Sequence, residues 1–287
     1  MIFLSITILT SVLIIISFKV FNILDVSVNQ AITFNYLFGF IYGLVFREDN
    51  HSMNQVIDSD WLIPSIFIGF VFILGFFLFS KSAVKAGVSI TAVSAKMSVI
   101  IPVMAGFLLF GDSISTLKVA GIGLALLSFY FIFKKGENER INYKYIILPL
   151  SLLLVSGLND SLVKYMEHNY LTDNILLFLT FVFLSAFIFG LVFSLSNSKS
   201  RQNLISYKGV LGGFLLGTFN FWNAWAFIRS MNIFESSMLF PTVNVSVVSI
   251  SAFAGLLFFK EKLKLINWIG IFMAVIAILL ISLENGN

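Results

Sequence analysis

The sequence predicts an all-α integral membrane protein with ten transmembrane helices arranged as two inverted five-helix repeats. Three observations carry this. The chain of 287 residues is 59% hydrophobic and only 11% charged, its apolar residues fall in runs of bilayer-spanning length, and its two halves match each other at a fixed offset.

A soluble domain of this length needs far more polar surface. Thirty-four phenylalanines supply much of the apolar volume, and only four prolines interrupt it. The mean hydropathy of +0.99 belongs to a chain whose main solvent is lipid. The net charge of +4 does not point to nucleic acid, because the basic residues sit in short clusters between apolar runs and not on one domain. With no cysteine, disulfides, thiolate metal sites and a cysteine nucleophile are excluded. Nothing in the sequence asks for a metal or a cofactor.

A helix rises about 1.5 Å per residue, so a hydrocarbon core of about 30 Å takes roughly 20 mainly apolar residues. Ten segments qualify: 2–22, 28–46, 62–80, 88–111, 116–134, 144–166, 173–196, 207–229, 236–259 and 265–283. The run from Ile2 to Ile16 lacks a basic leader and a cleavage site, so it reads as the first span and not a signal peptide. Polar stretches at Arg47–Asp60, Lys134–Lys144 and Ser196–Lys208 read as surface loops. The middle one divides the chain into a first repeat, 1–135, a linker, 136–143, and a second repeat, 144–287.

The repeat appears when the sequence is shifted by 149 positions. Gly106 then meets Gly255, Leu108 meets Leu257, Asp112 meets Glu261, Gly121 meets Gly270 and Ala125 meets Ala274. Because each half has an odd number of spans, the second must enter the membrane from the opposite side. Inverted repeats of this kind suit alternating access to a central site.

Thirteen of the eighteen basic residues fall on one face of the ten-span arrangement. The positive-inside rule makes that face cytoplasmic and sends both termini outward. The expected location is the plasma (inner) membrane, multi-pass.

Charged and amide side chains within spans are candidates for function, because a charge at mid-bilayer depth costs about 2.5–3.5 kcal/mol. Lys96 lies roughly 12 Å along the fourth span; it is either a cation for an acidic substrate or carboxylate, or a snorkelling lysine. Asp160, with Lys164 one turn on, is a proton-coupling candidate, or else the two form a structural pair at the membrane edge. In the run FNFWNAW, Asn220 and Asn223 share a face and Trp222 adjoins it, as substrate contacts or as core packing. Asn35 and Asn244 complete the candidate substrate-binding set. Pro102 and Pro241 lie inside spans four and nine, where each removes a backbone donor.

A glycine, an apolar run, an acid opening a turn and a glycine in the next helix occur once per half: Gly106, Asp112 and Gly121, then Gly255, Glu261 and Gly270. This pattern resembles the drug/metabolite transporter superfamily, in particular its EamA-like branch. The resemblance spans essentially the whole chain. It implies a secondary carrier for a small-molecule substrate such as a metabolite or drug, with a central cavity lined by helices one, three, four, six, eight and nine, as a monomer or homodimer in the lipid bilayer.

Other classes fit less well. A rhomboid-type protease needs Ser and His at depth and an aspartyl type needs two intramembrane acids, yet His51 and His168 fall in loops and Asp160 is the one acid well inside a span. The expectation is therefore a non-enzyme. A channel would show rings of like residues or filter loops, and none is visible; a channel or a non-transporting scaffold stands as the alternative.

Overall fold

The computed structural model describes residues 1–46, 56–86, 88–133, 146–171, 174–196, 206–259 and 264–282. The linker 136–143, Glu261 and most of the three polar loops lie outside the described residues. Among the described residues every regular element is a helix: α1 (Ile2–Ile23), α2 (Val28–Phe46), α3 (Leu62–Lys85), α4 (Val88–Met97), α5 (Ile100–Leu109), α6 (Thr116–Phe133), α7 (Ile147–Tyr170), α8 (Ile175–Ser196), α9 (Tyr207–Met231), α10 (Ser236–Phe259) and α11 (Leu265–Ser282). Five of these, α1, α3, α7, α8 and α10, are long and apolar enough to cross a bilayer. The chain is a multi-pass membrane protein.

One expected span is two helices. The segment 88–111 breaks after Met97 and resumes at Ile100, and the reason is local. Pro102 has no N–H to give the Ser98 carbonyl four residues back. The Ile101 N–H takes that carbonyl instead at 3.0 Å, and the Val99 N–H reaches the Lys96 carbonyl at 3.4 Å. Bonds three residues apart replace the α-helical ladder there.

The chain folds into two compact units, each drawing on both sequence halves: Met1–Ile73 with Tyr165–Asn232, and Leu74–Lys164 with Ile233–Asn287. In the first, α2 packs against both α8 and α9, and α1 packs against α9. Close backbone approach makes this possible. Gly213 and Gly217, four apart on α9, lie so near α2 that a side chain on Gly217 would meet the Asn35 carbonyl at 2.8 Å. Gly39 and Gly43 of α2 receive the side chains of Phe183 and Thr180 from α8 in the same way. Without a hydrophobic force between helices in lipid, small residues four apart give the van der Waals contact that holds them.

In the second unit α6 pairs with α11, and α10 packs against α5, α6 and α11. A Cβ on Gly121 would meet Ile281 at 2.7 Å, and one on Gly270 would meet Ile132 at 2.6 Å. Gly121 and Gly270 are repeat mates, and so are Ile132 and Ile281. The contact is thus reciprocal, with the start of each helix against the end of the other, so the two run antiparallel. A second matched pair, α2 and α8, is also antiparallel: Thr33 near the start of α2 bonds Ser194 near the end of α8 at 3.4 Å, while Gly43 lies against Thr180.

Candidate functional site

The break between α4 and α5 places Lys96 in the last turn of a half-helix. Its ammonium donates to Asn244 Oδ1 at 3.0 Å. Asn244, on α10, is held by its own Nδ2, which donates to the Phe240 carbonyl at 3.0 Å. The amide is therefore oriented with its oxygen toward the cation. A cation at the carboxyl end of a helix also sits in the favourable field of the helix dipole.

A carboxylate completes the cluster. Helix α7 runs so close to α5 at Gly157 that a Cβ there would meet the Ile101 side chain at 2.5 Å. Asp160 lies three residues on, on the same face of α7, within electrostatic reach of Lys96. Asn159, the neighbour of Asp160 on α7, has its side-chain Oδ1 buried with no hydrogen-bond partner. Lys164, one turn beyond, is 7% exposed with its ammonium 6.0 Å from the centroid of the Phe110 ring.

The remaining candidates gather in the first unit. Asn220 Nδ2 donates to Asn35 Oδ1 at 3.1 Å; Asn35 is fully buried and its own Nδ2 has no partner. Asn223 Nδ2 faces three acceptors on α1: the Thr7 carbonyl at 2.8 Å, Thr10 Oγ1 at 2.9 Å and Ser11 Oγ at 2.7 Å. An amide nitrogen so engaged ties α9 to α1. Trp222 meets Phe46, Phe221 and Trp225 edge to face, with centroids 5.2 to 5.6 Å apart. So Lys96, Asn244 and Asp160 come together in one unit, and Asn35, Asn220, Trp222 and Asn223 come together in the other.

Some of the polar framework is not evident from the sequence. Lys118, which the charge count places on a surface, is fully buried at the start of α6. It pairs with Glu235 and donates to the Ser113 carbonyl at 3.1 Å. Only the fold brings Glu235 to it, across more than a hundred residues of chain. Asn159 carries the same sequence signal as Asp160, a polar side chain in an apolar run.

The glycine-and-acid motif has a structural purpose in the first half. Asp112 Oδ2 accepts the Ser237 backbone N–H at 2.7 Å, satisfying a free donor at the start of α10. Gly106 leaves room for that carboxylate, since a Cβ there would meet Asp112 Oδ2 at 2.5 Å and Ser236 at 2.9 Å. Gly111, at φ +72°, turns the chain between them in a conformation that side chains disfavour.

Comparison with known proteins agrees with this framework. Residues 144–283 match the EamA-like transporter family. The EamA-like segment contributes Asp160 and Asn244 to the cluster, and Lys96 comes from the half that precedes it. The family is one of membrane transporters of the drug/metabolite type, not of enzymes. An uncharacterised protein of Haemophilus influenzae is 25% identical over 288 residues, covering 94% of each chain. A crystal structure of another protein superposes with a TM-score of 0.78 over 99% of this chain and 96% of its own, at 11% identity. That likeness extends the fold over the first half as well.

Proposed function

We propose that this protein is a secondary transporter that moves a small metabolite or drug-like solute across the plasma (inner) membrane by alternating access, as an exporter, with Lys96 and Asn244 as its principal substrate contacts. The observation that carries this is the Lys96 cation, held by Asn244 at a helix break and faced by Asp160. Broken helices and paired intramembrane charges mark binding sites in transporters, because irregular backbone and charge are too costly to leave facing lipid.

The antiparallel course of two of the matched helix pairs, α6 with α11 and α2 with α8, supports an inverted repeat, which is what alternating access through two equivalent arrangements requires. Asp160 is the group placed to exchange Lys96 for a proton or a substrate charge. Within their own unit, Asn35 and Trp222 are proposed as a separate pair of contacts, through an amide donor left without a partner and a ring face. Asn220 and Asn223 act by holding helices α2 and α1 in register with α9.

Counterflow in proteoliposomes tests the reading. Vesicles loaded with a cell metabolite extract are expected to drive saturable uptake of labelled members of that extract. Absence of saturation and of counterflow for every metabolite would leave the channel or scaffold alternative. Lys96→Ala is expected to abolish counterflow while the protein still inserts and elutes as a single species; unchanged counterflow would remove Lys96 from the site.

A further inference from the structure

We infer that Lys118 and Glu235 form a latch that closes the outer approach to Lys96 and Asn244, and that its opening is a step of transport. This rests on the transport reading and deepens it.

The latch lies where the two helices that carry those residues converge. Lys96 ends α4, the half-helix that leads into α5, and Asn244 belongs to α10. On the face that the charge count makes external, the end of α5 meets the start of α10: a Cβ on Gly106 would stand 2.9 Å from the Ser236 side chain. Asp112, just past α5, accepts the Ser237 N–H at 2.7 Å. Lys118, in the first turn of α6, pairs with Glu235, the residue before α10. At helical rise, Ser237 stands about 10 Å along α10 from Asn244, so this closure lies outward of the bond to Lys96.

The hydrogen bonds of Lys118 show that it serves this contact and not the packing of α6 on α11. An ammonium has three N–H donors. Here its acceptors are the Ser113 carbonyl at 3.1 Å, Ser113 Oγ at 2.5 Å and a Glu235 carboxylate oxygen. Its repeat mate, Asn267, has the same place at the start of α11 and does the opposite. Asn267 Nδ2 donates to the Phe131 and Ile132 carbonyls at the end of α6, at 3.1 and 2.8 Å. The mates of Phe131 and Ile132 are Leu280 and Ile281, so the equivalent target for residue 118 is the end of α11. Lys118 spends its three donors elsewhere. The mate of Glu235 is Ala86, which carries no charge. The repeat gives both ends of the molecule matching helices, and the ion pair sets the outer end apart. It is also reversible: Glu235 is 37% exposed, so its carboxylate regains water on parting, while Lys118 keeps both bonds to Ser113.

The chain has no cysteine, so a single introduced thiol reports on the closure directly. Val103 lies one turn inward of Gly106, on the same face of α5, and is 2% exposed. In full-length protein in proteoliposomes, Val103→Cys is expected to react slowly with a charged, membrane-impermeant maleimide added on the face that carries Glu235. Glu235→Gln and Lys118→Asn, each in that background, should speed the reaction roughly tenfold, the factor carried by one hydrogen bond to a charged group, with no acceleration from the opposite face. The double variant should react no faster than the faster single one, because both changes break the same bond. Unchanged labelling in both variants, equal acceleration from both faces, or additive acceleration in the double variant would each overturn the latch. The same variants should lower the concentration at which external substrate saturates counterflow of a metabolite extract. Absence of extract counterflow in the unmodified protein would overturn the transport reading, with the labelling still deciding the latch.

Discussion

Lys118 shows how one buried charge is made tolerable. It is fully buried while its partner Glu235 is 37% exposed, and Ser113 supplies two further acceptors. Burial pushes the Glu235 carboxyl up, but the Lys118 hydrogen bond and charge, with Ser113 alongside, outweigh it and hold the group below the usual glutamate range. A carboxyl depressed in the folded state contributes stability above its unfolded value of about 4.3, and that contribution is lost as pH falls through the folded value. Thermal unfolding in detergent should therefore show a lower Tm at pH 3 than at pH 7, and Glu235→Gln should narrow the gap. Glu235→Ala is expected to destabilise by about 1–3 kcal/mol, reduced by solvent screening at this exposed acid, because it strands a buried ammonium. Lys118→Met, which removes the buried charge, should cost less in the same Tm comparison.

Helices α6 and α11 meet through their mated glycines, yet the two sites are not equally tight. A methyl at Gly270 meets the Ile132 backbone nitrogen at 2.6 Å, whereas at Gly121 the nearest atom, at 2.7 Å, is an Ile281 side-chain carbon that can turn aside. Overpacking typically costs about 1–3 kcal/mol. Gly270→Ala is expected at the upper end and Gly121→Ala at the lower, read as the difference in Tm; equal losses would mean both sites relax alike. The helix break has a comparable local cause, since Pro102 was visible in the sequence but its effect was not. A proline inside a span can bend a helix or end it, and here the Ile101 N–H takes the carbonyl that Pro102 leaves. Pro241 sits inside α10, which continues through it.

For the molecule as a whole, the unequal distribution of lysine and arginine between the two faces predicts outward termini. A reporter enzyme active only outside the cytoplasm, fused to the C-terminus, is expected to give a signal. A fusion active only in the cytoplasm would reverse the topology. The repeat mates of Asn159 and Asp160 are Thr10 and Ser11, which accept from Asn223. At the 149-residue offset the neutral pair Thr10 and Ser11 thus stands where the other half has Asn159 and the charged Asp160.

Composition and the apolar runs were enough to establish the helical class, the membrane and many of the helix boundaries; α2 and α10 begin and end where the apolar runs do. Helix formation in lipid is a local matter, because every backbone group must be satisfied within its own segment. The family resemblance was equally legible, since Gly106, Asp112 and Gly121 stand close together in the chain. What needed the tertiary structure was which polar groups meet. Asn223 and Lys96 look alike in sequence, each a polar residue in an apolar run. One is satisfied by Thr7, Thr10 and Ser11, while the other bonds Asn244 and lies within electrostatic reach of Asp160. Partners more than a hundred residues apart are chosen by helix packing, and the packing is set by small-residue contacts whose pairing no single helix encodes.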